Sequence, residues 1–382
     1  MKIDYSKRIF GLDIMRTTAI LFVVCSHALW VFPDTEGSFY SLLRLAGVMG
    51  VEIFFVLSGF LIGRILFRIF TNEHFKPAHL FYFLIRRWFR TLPNYYLILV
   101  LNIFVVFYLG RELPETLWMY FGFLQNTTFG MDIFFTESWS LPIEEFAYIL
   151  GPILLYLLVL PKFKISRKTI FLFVTLFIIL FFLATKFIYN NTHGATSLEF
   201  WNINLKAVML YRIDAIYYGV LAAFISLSFP KSWNSFKSFF LFLSLFFFAG
   251  MHIIIGQLGM NSETTPLFLN VFYLPLCSIF IAFSLPVLSN IKSASALILK
   301  PITFISIISY SMYLLHYSII LQLMHFILEM DENTMWYKLV FSIGYLIITI
   351  VLSYGLYRFY EKPVMDIRDK PFFRNLMAKS KL

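Results

Sequence analysis

The chain alternates between long apolar runs and short polar segments. Ten runs approach or exceed the roughly 20 apolar residues that a helix needs to cross a bilayer. They cover residues 12–32, 46–68, 91–110, 142–160, 169–188, 206–229, 238–256, 268–288, 303–326 and 336–358. This pattern predicts an all-α integral membrane protein, a bundle of about ten transmembrane helices with both termini on one side of the membrane.

Composition supports the membrane class. Hydrophobic residues make up 60% of the 382 positions and charged residues 14%, whereas a soluble domain is about half apolar and about a quarter charged. The net charge of +10 needs no nucleic-acid partner, because lysine and arginine collect in cytoplasmic loops. Both cysteines, Cys25 and Cys277, lie in apolar runs and are expected to pack as small hydrophobes.

The distribution of basic residues predicts the sidedness. With the N-terminus inside, the inner segments hold 24 of the 31 lysine and arginine residues. These segments are 1–10, 64–90, 161–168, 230–237, 289–302 and 358–382. The positive-inside rule therefore places both termini in the cytoplasm. We expect one transmembrane domain over residues 1–366, followed by a basic cytoplasmic tail over 367–382.

The first apolar run carries an unusual polar stripe. Asp13, Arg16 and His27 all lie within Gly11–Trp30. At about 100° per residue, Arg16 and His27 return to nearly the same helix face, about 16 Å apart along the axis. A charge at the bilayer centre costs about 2.5–3.5 kcal/mol, so such residues normally face a bundle interior or a wet cavity. The stripe is expected to line a functional passage.

Acidic residues stand at the predicted depth of His27. Glu52 lies in the outer third of the second run, and Glu144 and Glu145 follow Ser138 at the start of the fourth. The two adjacent acids can simply complement a helix N-terminus. Alternatively, a histidine with a carboxylate is a common arrangement for general-base catalysis. The two acids point about 100° apart, so one of them is expected to face the site.

Three more polar residues fall inside apolar runs. Arg212 and Asp214 are two positions apart and cannot face each other on a helix, so each is expected to pair with another helix. A buried ion pair and a contact with substrate both remain open for them. His316, near mid-membrane, fits either a hydrogen-bonded packing role or a substrate contact.

Arginines cluster at the predicted cytoplasmic ends of the second and third runs. Arg64 and Arg68 are one turn apart, and Arg87 and Arg90 belong to the sequence RRWFR. They can anchor the protein at the inner surface. They can also clamp phosphate groups, because guanidinium offers bidentate donors. No histidine, cysteine or acidic residues show metal-ligand spacing, so no metal is expected.

Seven sequence pieces, in order along the chain, resemble acyltransferase family 3, whose members are membrane O-acyltransferases acting on bacterial surface polysaccharides. The pieces are GLDIMR with His27 eleven residues after Arg16, then GVEIFFVLSGFLI, RRWFRTLPNYY, SWSLPIEEFAY, RIDAIYYGVLAA, SYSMYLLHY and the terminal YEKP. The resemblance implies a ten-helix core in the bacterial cytoplasmic membrane. It also implies transfer of an acyl group from cytoplasmic acyl-CoA, with acetyl-CoA the first choice, to a hydroxyl of a glycan or lipid-linked sugar outside.

The resemblance also implies residue roles. His27 matches the catalytic histidine and Arg16 its partner in the motif. Arg87 and Arg90 match a pair linked with donor binding, and Glu144 or Glu145 matches the acid of the fourth run. Two departures stand out: Glu52 replaces a common aspartate, and Phe-Ala-Tyr follows the second acid where Gln-Phe-Tyr is common.

These expectations combine into one mechanism. Acyl-CoA binds its phosphates to Arg87 and Arg90, supported by Arg64 and Arg68, and extends along the polar stripe toward His27. His27, oriented by Glu144 or Glu145, deprotonates an acceptor hydroxyl; a covalent acyl-histidine is the alternative. Two other classes remain possible from sequence: a transporter or flippase of a glycan precursor, and a membrane sensor without catalysis.

Overall fold

A computed structural model describes residues 8–32, 37–161, 164–328 and 334–367. All regular structure within these ranges is helical. The fifteen α-helices are α1 Phe10–Ala28, α2 Ser38–Thr71, α3 Ala78–Tyr108, α4 Leu117–Phe121, α5 Ser140–Val159, α6 Arg167–His193, α7 Leu198–Trp201, α8 Ile213–Ser228, α9 Pro230–Ser235, α10 Lys237–Gln257, α11 Leu274–Leu288, α12 Ala296–Leu315, α13 Gln322–Ile327, α14 Met335–Leu356 and α15 Lys362–Ile367. Beyond Ile367, the predicted basic tail lies outside the described residues.

The predicted class, an all-α membrane bundle, is confirmed. In the described part of the chain, nine helical segments are long and apolar enough to cross a membrane, and α8 adds a shorter apolar helix of 16 residues. Together these ten segments correspond one for one to the predicted runs. Which side of the membrane holds the termini remains a prediction.

The third helix begins 13 residues earlier than predicted. The hydropathy pattern predicts an inner loop over residues 64–90, but α2 continues to Thr71 and α3 starts at Ala78. Hydropathy alone missed this because arginine interrupts an apolar run while remaining a good helix former. Arg87 and Arg90 therefore lie two to three turns inside α3, where they can reach the bundle interior.

The sixth predicted run, 206–229, is helical only from Ile213 onward. Upstream of it, a π-helical turn over Asn202–Lys206 and a 3-10 turn over Met209–Tyr211 replace the expected helix. The backbone N–H groups of Met209 and Leu210 donate to the carbonyls of Asn126 and Thr127, 2.8 and 3.1 Å away. These long-range bonds use donors that a helix would need, so the helix starts later.

The centre of the bundle is the crossing of α2 and α8. Gly59 and Gly219 let the two backbones touch. A Cβ built on Gly59 would lie 1.8 Å from the carbonyl oxygen of Ile216, and one on Gly219 would lie 2.1 Å from that of Val56. Small residues allow such close approach between membrane helices. The crossing anchors the helices that surround the polar groups described below.

The outer helices present apolar side chains to the surroundings. Ser244 is the one buried residue of α10, while Phe239, Phe242 and Phe246 are more than half exposed. In a soluble protein so large an apolar surface would cause association. Here it is the surface expected to contact lipid.

Candidate active site

The polar residues at the start of α1 form one ion-paired cluster. Asp13 is buried and accepts hydrogen bonds from Arg8, from Arg16 and from the Ser306 hydroxyl of α12; the Arg8 Nε and Ser306 Oγ distances are 2.8 and 2.7 Å. Arg16 also donates to Ser306 Oγ over 3.1 Å. Arg16 is thereby held between α1 and α12. Sequence reasoning missed Arg8, because it precedes the helix and the helical spacing rule does not reach it.

His27 pairs with His316. His27 Nδ1 lies 2.9 Å from His316 Nε2, and His316 Nδ1 lies 2.7 Å from the backbone oxygen of Tyr313. The ring of Tyr317 packs against His27, with ring centroids 4.8 Å apart. His316 is fully buried, whereas His27 is partly exposed. The two histidines therefore form a dyad of which His27 is the accessible member.

A π-helical turn, His316–Leu321, positions the second histidine at the end of α12. Glu137, in the 3-10 turn before α5, is buried and anchors this turn. One oxygen of its carboxylate accepts from the backbone N–H of Ser318 over 3.1 Å and from the Ser318 hydroxyl over 2.7 Å. π-helical turns are common at functional sites. Sequence reasoning missed Glu137, since nothing in its spacing points to a residue 181 positions away.

Arginines and polar side chains line a partly open cavity within the bundle. Its charged members are Arg16 of α1, Arg87 and Arg90 of α3, and Glu144 of α5. Tyr313 also lines it and lies next to the histidine dyad, with its ring centroid 5.7 Å from that of His316. Tyr313, whose backbone carbonyl holds His316, thus lines the cavity, whereas neither histidine of the dyad does.

Tyr148 of α5 connects the cavity's opposite charges. Its hydroxyl accepts a hydrogen bond from Arg87 over 2.9 Å, donates to Glu144 over 2.9 Å, and also contacts the hydroxyl of Ser58. The Arg87 guanidinium sits over the Tyr148 ring, 4.5 Å from its centroid. Tyr148 was not singled out from sequence, although it lies one helical turn after Glu144 and shares its face.

The two adjacent acids have different surroundings. Glu144 lines the cavity, whereas Glu145 is buried and accepts a hydrogen bond from the Thr91 hydroxyl over 2.7 Å. Neither acid contacts His27, so the expected orientation of His27 by one of them is not what the structure contains. Glu144 is instead linked to Arg87 through Tyr148. Ser138, in the 3-10 turn before α5, is buried. The Ser138 hydroxyl accepts from Gln125 over 3.3 Å.

The other two arginines of the predicted clamp lie elsewhere. Arg64 stacks over Phe60, 5.3 Å from the ring centroid, and Arg68 is exposed. Neither lines the cavity. They stand one and two turns further along α2 than the cavity-lining Leu61, so the helix carries them past it.

The remaining predicted polar residues form two buried ion pairs. Arg212 pairs with Glu52, which also accepts from the Ser278 hydroxyl over 3.1 Å, and Asp214 pairs with Lys186 of α6. Each of Arg212 and Asp214 thus reaches a different helix. These contacts favour the structural interpretation of both residues. Across the described ranges, no three histidine, cysteine or acidic residues come together as a metal-ion site would require.

Comparison with known protein families identifies the class of this protein. Residues 9–358 match the family described as an acyltransferase domain, Acyl_transf_3, and the chain belongs to that family. It is accordingly a multi-pass membrane acyltransferase. Over 169 residues it is 31% identical to a Bacillus subtilis (strain 168) protein named "Putative peptidoglycan O-acetyltransferase YrhL". That match covers 40% of this chain and 25% of the relative, so the chain spans only part of it. No solved structure matches significantly.

Proposed function

We propose that this protein is a membrane O-acetyltransferase that moves an acetyl group from cytoplasmic acetyl-CoA to a hydroxyl of a cell-envelope glycan. One observation carries the proposal. Tyr313 lines the same cavity as Arg16, Arg87 and Arg90, and its backbone carbonyl accepts the hydrogen bond that holds His316. An anion-binding space thus adjoins a candidate general base.

The cavity's arginines fit the phosphates of acyl-CoA. Arg90 makes no hydrogen bond or ion pair with another described residue and its side chain is exposed, so its donors are available. Arg87 retains a buried Nε that has no partner. Arginine recognises phosphate with paired donors. Arg16 is already bonded to Asp13 and Ser306 and would add mainly positive potential.

Acyl-CoA supplies the acyl group as an activated thioester. His27 would take the proton from the acceptor hydroxyl as that oxygen forms its bond to the acyl carbon and the carbon–sulfur bond breaks. The same proton would pass to the departing thiolate, which leaves as CoA thiol and restores neutral His27. Positioned proton transfer of this kind contributes about 10²–10⁴-fold to a rate.

The acceptor and membrane assignments rest on sequence. The name of the Bacillus relative makes peptidoglycan the first acceptor to test, with other surface polysaccharides and lipid-linked sugars next. The positive-inside pattern supports cytoplasmic termini. We assign the protein to the bacterial cytoplasmic membrane, with one acyltransferase domain over 1–366 and a basic tail after it.

The test is transfer of radiolabelled acetyl from acetyl-CoA to peptidoglycan by the purified protein in lipid nanodiscs. We expect labelled glycan with the wild type and loss of at least about 100-fold in rate with His27→Ala. His252→Ala is the matched control, because His252 is another helix histidine, bonded to Tyr273 and outside the cavity.

Full activity of a well-folded His27→Ala protein would overturn the role of His27. Failure to label any envelope glycan or lipid-linked sugar would overturn the proposed acceptor class. A transporter or a non-catalytic sensor would leave no labelled product.

A further inference from the structure

The geometry points to His316 as a positioning residue that fixes the tautomer of His27, leaving His27 Nε2 as the basic nitrogen. This inference rests on the proposed function, in which His27 is the base. It adds a second histidine to the machinery, one that never needs to touch the substrate.

The first step of the argument is the proton on His316. Its Nδ1 lies 2.7 Å from the backbone oxygen of Tyr313, and a carbonyl oxygen can only accept. His316 Nδ1 must therefore carry hydrogen. Because the bond joins residues three apart at the end of α12, the helix backbone itself holds the ring in place.

The second step is the charge of His316. The ring is completely buried, and no carboxylate in the described ranges contacts either histidine. An imidazolium there would be a buried charge without a partner, which is costly. A neutral His316 with hydrogen on Nδ1 has a lone pair on Nε2, so Nε2 accepts a hydrogen bond.

The third step is the proton on His27, which follows from Nε2 of His316 being a hydrogen-bond acceptor. His27 Nδ1 faces His316 Nε2 at 2.9 Å and must donate the hydrogen of that bond. A neutral His27 with hydrogen on Nδ1 has its lone pair on Nε2. Since His27 is the partly exposed member of the dyad, that lone pair is the one available to an acceptor hydroxyl.

Neighbouring contacts hold the two histidine rings in position. The Glu137 carboxylate anchors Ser318, two residues beyond His316, and Tyr317 packs on the His27 ring. When His27 accepts a proton at Nε2, its Nδ1–H bond to His316 becomes charge-assisted and therefore stronger. His316 thus stabilises the cation that forms during the reaction, as the buried aspartate does in a serine-protease triad.

Two substitutions separate positioning from packing. In His316→Gln, the side-chain oxygen can take the place of Nε2 and accept from His27 Nδ1–H. In His316→Phe, a ring of similar size remains but no acceptor does. Loss of the correct tautomer costs about 10⁴-fold in a serine protease. We expect kcat to fall at least about 100-fold in His316→Phe and within about tenfold in His316→Gln, with the KM for acetyl-CoA nearly unchanged in both.

The tautomer itself can be observed without activity. With ¹⁵N-histidine in the nanodisc-embedded wild type, solid-state NMR should report a protonated Nδ1 and an unprotonated Nε2 for His27. In His316→Phe this preference should weaken, with only the backbone oxygen of Val23 left, among the described residues, as a hydrogen-bond partner of the His27 ring, while His252→Phe should leave it intact.

Either of two results would overturn the inference. One is a wild-type His27 protonated on Nε2; the other is a folded His316→Phe protein with wild-type kcat. Failure of the proposed function looks different, since the wild type would then transfer no acetyl group even if the NMR signals showed the expected tautomer.

Discussion

His27 Nδ1 lies 2.9 Å from His316 Nε2, although 289 positions separate the two residues in the chain. The contact joins α1 to the π-helical turn after α12, so it forms only when parts of the chain far apart in sequence pack together. A histidine with a second histidine behind it can have one defined tautomer without any buried carboxylate. This suits a base within a membrane, where an unpaired carboxylate would be costly.

Donor binding is predicted to depend on Arg90. Arg90→Ala removes an unpaired cation from the cavity, and a charge-assisted hydrogen bond contributes about 1.5–3 kcal/mol. We expect the KM for acetyl-CoA to rise about 10- to 100-fold, with kcat little changed, because the lost interaction is the same in ground and transition states. Steady-state kinetics in nanodiscs measures both constants.

Arg358→Ala is the matched control, since Arg358 is exposed in the π-helical turn that follows α14 and does not line the cavity. Arg68 belongs to the phosphate clamp predicted from the sequence, but it does not line the cavity. We therefore expect Arg68→Ala to leave the KM for acetyl-CoA unchanged. A KM for acetyl-CoA that rises in Arg68→Ala and stays constant in Arg90→Ala would contradict the cavity as the donor site.

The Glu52–Arg212 pair is predicted to be a stability element. Glu52→Gln leaves the buried guanidinium without its carboxylate, and breaking a buried pair on one side costs about 3–5 kcal/mol. We expect a clear fall in the temperature of unfolding, followed by tryptophan fluorescence in detergent micelles. Glu52→Gln combined with Arg212→Met should recover most of the loss, because removing both charges leaves neither unpaired.

The exposed Lys362–Asp366 pair gives the comparison. Lys362→Ala should change stability by less than about 1 kcal/mol. If Glu52→Gln were no more destabilising than Lys362→Ala, the pair would not be structural.

The crossing of α2 and α8 is predicted to tolerate no added methyl group. Gly59→Ala would place Cβ 1.8 Å from the Ile216 carbonyl oxygen, so the helices must separate. Overpacking typically costs about 1–3 kcal/mol, occasionally more. Gly250→Ala in α10 has no atom within 4 Å of its Cβ and should be neutral or stabilising by up to about 1 kcal/mol. Equal unfolding temperatures for the two variants would be inconsistent with this crossing.

The proposed sidedness is predicted to appear in reporter fusions. Alkaline phosphatase, active only outside the cytoplasm, should be active when fused after Glu115 and inactive when fused after Lys76. A fluorescent protein that folds in the cytoplasm should give the opposite pattern. Both sites are exposed and lie in connections between helices. An active phosphatase at Lys76 would reverse the topology.

The first helix shows which parts of the site could be predicted from the sequence. Its spacing correctly singled out Asp13, Arg16 and His27 as polar positions of one helix, because helical periodicity is local. Their partners were not predictable. Ser306 comes from α12 and His316 from the π-helical turn after it, nearly 300 residues away, and no local pattern encodes that encounter.

The two acids of α5 show the same difference between local spacing, which is predictable, and tertiary partners, which are not. Their 100° separation correctly indicated different surroundings for Glu144 and Glu145. Their depth relative to His27 stays a prediction, whereas their partners are now known: Glu144 contacts Tyr148, which also bonds Arg87. The turn before α5 is itself held by tertiary contacts, such as those of Asn126 with the carbonyl oxygens of Trp139 and Ala207.

By itself, the sequence determined the class of protein, the number of apolar segments and most of the candidate polar residues. Those properties follow from hydropathy, chain length and helical spacing, all of which act over short distances. The tertiary structure alone decided which arginines share a cavity, which acid faces it and what lies behind His27. Those relationships depend on how helices pack, and packing brings together side chains that sequence distance keeps apart.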